Sequence, residues 1–149
     1  MRATLYLFSF LILVLGFSFT LQKSDEIQKI TFKSGTRGFH KELIFTPDSI
    51  HIRTSGRSQK EYKGKISKKE WRNLCKSLER VNLVEIPQLQ SPTNLRATDR
   101  AFSSRLSIQS DGKEYKSSQF DDYNPNEKLK NLALTIQEIE KGKTLIKSE

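Results

Sequence analysis

The chain has 149 residues, with 26 lysines and arginines against 17 acidic residues and a formal net charge of +9. Its one cysteine, Cys75, excludes an intramolecular disulfide, so even in an oxidising compartment the domain must be held by its core. The positive balance suits anionic surroundings such as phospholipid head groups, acidic glycans or nucleic acid, although the charges are spread over the body and not gathered in one block.

Residues 3–21 read ATLYLFSFLILVLGFSFTL, with Arg2 before them and Lys23 just after. No charge, proline or histidine interrupts the run. A basic start followed by an apolar run is the secretory pattern. As a helix it would be roughly 30 Å long, enough to cross a hydrocarbon core. The expectation is therefore a signal peptide or N-terminal membrane anchor over 1–22 and one α+β domain over 23–149. Gly16-Phe17-Ser18 fits a cleavage site loosely. Cleavage would make the protein periplasmic or secreted, and retention would make it single-pass and membrane-anchored. Lipid attachment would need a cysteine at the end of the run, and Cys75 is far from it.

Ile30 and Phe32 alternate with Thr31 and Lys33, which predicts a first strand. Residues 34–38 read as a loop, whose glycine spacing makes neither a dinucleotide fingerprint nor a Walker loop. Segments 39–45 and 49–53 form the best-specified hairpin. With Pro47 and Asp48 as its two loop residues, Phe45 faces Ile50, Leu43 faces Ile52 and Glu42 faces Arg53. The same register puts His51 opposite Ile44. His40 is then on the order of 13 Å from His51, too far to share a zinc ion. Segment 54–60 is a polar loop containing Arg57.

Tyr62, Gly64 and Ile66 predict another strand. Ser67 and Glu70 have the spacing of a capping box. Trp71, Leu74, Cys75 and Leu78 then form one helical stripe, with Lys69, Arg72, Lys76 and Arg80 on the solvated side. Segment 81–86 reads as extended, stopped by Pro87. Residues 88–100 show no period and are long for a connection, which makes them the first choice for a binding surface.

Phe102, Ser104, Leu106 and Ile108 alternate, and Asp111-Gly112 is a strong hairpin signal. It places Tyr115 opposite Ile108 on a return strand over 114–120. Asp122, Asn124 and Asn126 have the opening spacing of an EF-hand loop, but Glu127 and Ala133 stand where that loop needs glycine and glutamate. A local account is better: Asn124 caps the next helix, Pro125 opens it and Glu127 closes a capping box. Leu129, Leu132, Ala133, Ile136 and Ile139 are its apolar stripe, and Lys141-Gly142 reads as its stop.

The expected architecture is an antiparallel sheet of about five or six strands with two amphipathic helices on one face, preceded by the apolar N-terminal helix. This order resembles small exported bacterial proteins with a β-β-α-type domain of unknown function. The matching stretches are 62–78, 110–115 and 124–139, whose turns and caps follow the same sequence. The resemblance implies no activity, catalytic residue, cofactor or metal.

No nucleophile elbow surrounds the serines, and neither histidine has an evident partner. The chain is thus expected to be a non-enzymatic envelope domain that binds a protein partner. Its expected surface is the 88–100 loop, through Arg96, Asp99 and Arg100, with help from Arg37 and Arg57. The alternatives are a basic domain that binds anionic head groups or acidic polymers, and an enzyme of unrecognised type. Nucleic acid is disfavoured by the export signal.

Overall fold

A computed structural model of the protein describes residues 26–56 and 59–146. The expected export segment over 1–22, and Arg57, lie outside the described residues. The fold is α+β, built on an antiparallel sheet. Four strands run as a meander: β1 (Ile27–Thr36), β2 (Phe39–Phe45), β3 (Ser49–Gly56) and β4 (Lys60–Lys65). Helix α1 (Lys68–Lys76) follows, then two short 3-10 helices at Leu83–Gln88 and Leu95–Thr98. Strands β5 (Ser103–Ser110), β6 (Lys113–Lys116) and β7 (Phe120–Asp121) lead into α2 (Glu127–Ile146). The spatial order is β4-β3-β2-β1-β5-β6, and β7 joins the same edge of β5 as β6.

The β2–β3 register is the one the turn chemistry implies. Phe45 pairs with Ile50, Leu43 with Ile52, Glu42 with Arg53 and Ile44 with His51. The Asp111-Gly112 turn also places Tyr115 opposite Ile108, with both turn residues at positive φ. Residues 34–38 are not a loop. β1 continues to Thr36, which pairs with Phe39, so Arg37 and Gly38 make a two-residue hairpin turn.

The return strand over 114–120 is broken. Lys116 and Phe120 are four positions apart, while their partners Ser107 and Ser104 are three apart. The extra residue makes a β-bulge. Ser117 keeps both strands in register across it, because its hydroxyl accepts from the Leu106 amide and its own amide donates to the Leu106 carbonyl. The Ser118 hydroxyl donates to the Leu89 carbonyl and ties the bulge to the end of the first 3-10 helix.

One face of the sheet carries Ile30, Phe32, Leu43, Phe45, Ile50, Leu106 and Ile108 into a continuous apolar core. Leu74 and Leu78 of the first helical stripe join it, as do Leu129, Leu132 and Ile136 of the second. Both helices therefore cover the same face. Helix α1 starts on the expected capping box: the Ser67 hydroxyl accepts from the Glu70 amide, and the Glu70 carboxylate accepts from the Ser67 amide. Such reciprocal caps contribute about 1 kcal/mol.

Further local expectations change: the polar loop over 54–60 is shorter, since β3 runs to Gly56 and β4 begins at Lys60. Segment 81–86 is not extended; Leu83–Gln88 is a 3-10 helix. A three-residue period puts Leu83 and Ile86 on the same buried side, and the Asn82 side chain caps the start by accepting from the Val84 amide. The cap of α2 is Asn126, not Asn124: Asn126 Oδ1 accepts from the Lys128 amide, while Asn124 is held in a turn by the Asp121 carbonyl. Gly142 does not stop α2, which runs on to Ile146. A helical glycine costs about 1 kcal/mol. The next residue offsets this, since Lys143 reaches Glu70 of α1 at 3.2 Å with both side chains largely buried.

A third tie joins β2 to α2. Lys41 Nζ lies 2.8 and 3.1 Å from the Glu140 carboxylate oxygens and 3.1 Å from the Tyr123 hydroxyl. That hydroxyl donates to Glu140, and the Tyr123 ring stacks on Phe32 with centroids 4.5 Å apart. Burial, and then the Glu140 carboxylate, push the Tyr123 hydroxyl well above its ordinary value, so it stays a neutral donor.

Candidate binding surfaces

The 88–100 segment is not structureless. Its second half is the 3-10 helix Leu95–Thr98, and a buried carboxylate fixes it to the sheet. Asp121 on β7 is 2% exposed. Its two oxygens accept from the amides of Leu95 at 2.7 Å and Arg96 at 3.0 Å, and Arg96 Nη1 adds a third donor at 3.0 Å. Burial alone would raise the Asp121 carboxyl. Donation from the Thr93 hydroxyl, the two amides and the Arg96 guanidinium overrides it and holds the group well below the usual carboxylate range. Its neighbour Asp122 accepts from the Phe102 amide and so anchors the other end of the same segment.

The candidate residues thus divide. Arg96 also donates to the Thr93 carbonyl, and its side chain is 20% exposed; it builds the segment instead of facing outward. Asp99 is exposed at positive φ just after the 3-10 helix. The exposed Arg100 folds back, with Nε donating to the Thr98 hydroxyl. Arg37 lies in the β1–β2 turn at the same end of the sheet, since Phe39 of that hairpin packs against Phe102 with centroids 5.8 Å apart. Leu95 and Phe102 themselves are 42% and 40% exposed. The result is a pinned platform with apolar and arginine side chains at one end of the sheet. Sequence reading missed its keystone. The partners of Asp121 lie 25 and 26 residues away, so no local pattern announces it.

The second surface is the open face of the sheet, opposite the helices. One transverse row there is a charge ladder. Glu61 pairs with Arg53, Arg53 with Glu42, Glu42 with Lys33 and Lys33 with Arg105 across β4, β3, β2, β1 and β5. The first four alternate in sign, with Glu42 lying 2.9 Å from Lys33 and 3.8 Å from Arg53. His51 belongs to the next row and meets Glu61 at 2.7 Å, which lowers the Glu61 carboxyl. Beside the ladder lies an open groove of about 570 Å³, lined among others by Lys33, Gly35, His40, Ser103, Arg105 and Gln119. Gly35 is tightly covered there. A Cβ there would come within 2.7 Å of both the Phe39 carbonyl oxygen and His40 Nδ1.

Cys75 is half-buried, and burial pushes its thiol up, away from the reactive thiolate. Among the described residues, no three His, Cys, Asp or Glu side chains cluster as a metal site, and no helix is long and apolar enough to cross a membrane. Comparison with known proteins finds no matching family model and no matching curated sequence.

Proposed function

We propose that this chain is an exported, non-enzymatic domain that binds a protein partner in the cell envelope through the platform around residues 95–102. Export rests on the apolar run over 3–21 and its basic flank. The observation that carries the binding reading is the exposure of Leu95 and Phe102 on backbone that Asp121 and Asp122 respectively pin. Apolar and aromatic side chains beside arginines, presented on a preorganised backbone, are the composition of interface centres. Arg37 and Arg100 favour an acidic rim on the partner.

The test is site-specific cross-linking in intact envelopes. A photoreactive side chain at Ala97 should give one discrete protein adduct, and the same group at Lys65, remote on β4, should not. Phe102→Ser combined with Arg100→Ala should reduce the Ala97 adduct by at least about tenfold, the scale of an interface hot spot. An adduct indifferent to those changes, or equal adducts from both positions, rejects the platform as the interface. Arg96 is left unchanged because its loss would collapse the segment.

A further inference from the structure

We propose that the groove beside the charge ladder on the open sheet face is a binding site for a phosphomonoester group, held between Lys33 and Arg105. This site is separate from the platform interface and does not rest on it.

The charge ladder carries the inference. Alternating signs across neighbouring strands stabilise a sheet, and like charges directly opposite destabilise it. The ladder alternates from Glu61 to Lys33 and then breaks, because Lys33 faces Arg105 across β1 and β5. Lys33 is shared with Glu42 on its other side, while the exposed Arg105 makes no ion pair among the described residues. Nor can β6 supply one by continuing the row. The bulge between Lys116 and Phe120 falls beside Arg105, so the ladder ends there. Bulges commonly stand where a sheet re-aims side chains for function.

The shape fits as well. The groove runs along the sheet backbone at Gly35, where the Phe39 carbonyl and the His40 ring take the space a side chain would need, and it exposes Lys33 and Arg105 together with Glu42. The Ser103 hydroxyl, the His40 ring and the Gln119 amide line it and can donate to oxyanion oxygens. Arginine offers a planar fork to phosphate and lysine a point charge. Glu42 already offsets one of the two positive charges, so what favours phosphate over a carboxylate is its larger set of acceptor oxygens, which can meet the Arg105 fork, Lys33 and a neutral donor together.

The decisive variant is Arg105→Glu, which completes the alternation. If Arg105 is kept for a ligand, this variant melts at the same or a higher temperature than the parent and loses the ligand. The purified chain is titrated at fixed ionic strength with inorganic phosphate, glycerol 3-phosphate and acetate, following amide shifts. A separate arm compares its retention on phosphatidylcholine vesicles with and without phosphatidic acid. The expected result is saturable shifts centred on Lys33, Gly35, Ser103 and Arg105 with either phosphate probe, at least about fivefold weaker in Arg105→Glu and unchanged in Arg72→Ser. A phosphate response with no phosphatidic-acid effect supports a soluble phosphoester. An Arg105-dependent gain on phosphatidic acid supports a lipid head group. Shifts spread over all surface lysines, equal response to acetate, or a lower melting temperature in Arg105→Glu overturns the proposal.

Discussion

Asp121→Ala should cost about 3 kcal/mol of stability, because it strands two part-buried backbone amides and a guanidinium that share one buried carboxylate. The loss should be local before it is global. Amide exchange at Leu95 and Arg96 should accelerate to the rate of open loops, while β1 and β2 stay protected. Protection at Leu95 unchanged in the variant would show that the segment holds itself. Acid provides an independent readout. The folded-state carboxyl lies below its unfolded value, near 3.9 for aspartate, so its stabilisation is fully present above that value and is lost as the pH falls below it. The stability gap between the parent chain and Asp121→Asn should be flat above about pH 5 and narrow from about pH 4 downward. A gap that widens in acid would reverse the assignment.

The second large effect concerns Lys41 and Glu140. Their side chains are 16% and 17% exposed, so removing either leaves the other charged and poorly hydrated. Lys41→Met and Glu140→Met should each cost about 2 kcal/mol. The double variant should cost clearly less than the sum, because two apolar side chains can fill the same space against the Tyr123 ring. A coupling energy of at least about 1 kcal/mol is expected from denaturant titration of the four proteins. Strict additivity would mean that the 2.8 Å contact is incidental.

What could be read from the sequence was local chemistry. Proline and aspartate at 47–48, Asp111-Gly112 and the Ser67–Glu70 box each act within a few residues, and each set its turn, register or cap. The apolar stripes gave both helices and the face they cover, because burial of periodic residues is decided by the segment itself. The failures have two causes: a distant partner, or a competing turn nearby, outweighed the expected local signal. Lys143 reaching Glu70 outweighed the Gly142 stop. The Asp121 turn took Asn124 from its expected capping role. For the candidate surface, the arginines at 96 and 100 look alike in sequence. Only the fold separates the one that builds the platform from the one left at its surface. The Lys33–Arg105 clash was equally hidden, since nothing in either strand announces that β1 and β5 are neighbours.

That neighbourhood has a kinetic consequence. β1 meets β2 through a two-residue turn, but its other edge must wait for β5. The buried hydroxyl pair that Ser34 and Ser104 make across this seam joins residues 70 apart in sequence. The meander over 27–65 can form as soon as it is made or delivered. For the time it takes the following residues to arrive, it carries β1 as an unsatisfied edge strand. Closing that seam, not forming the hairpins, should limit the folding rate. Substitutions in the seam such as Leu106→Ala should slow folding, and those in the β2–β3 hairpin should chiefly speed unfolding. The opposite pattern in stopped-flow refolding would place the slow step in the meander. A chain delivered unfolded across a membrane would spend that interval with its central strand open to other chains.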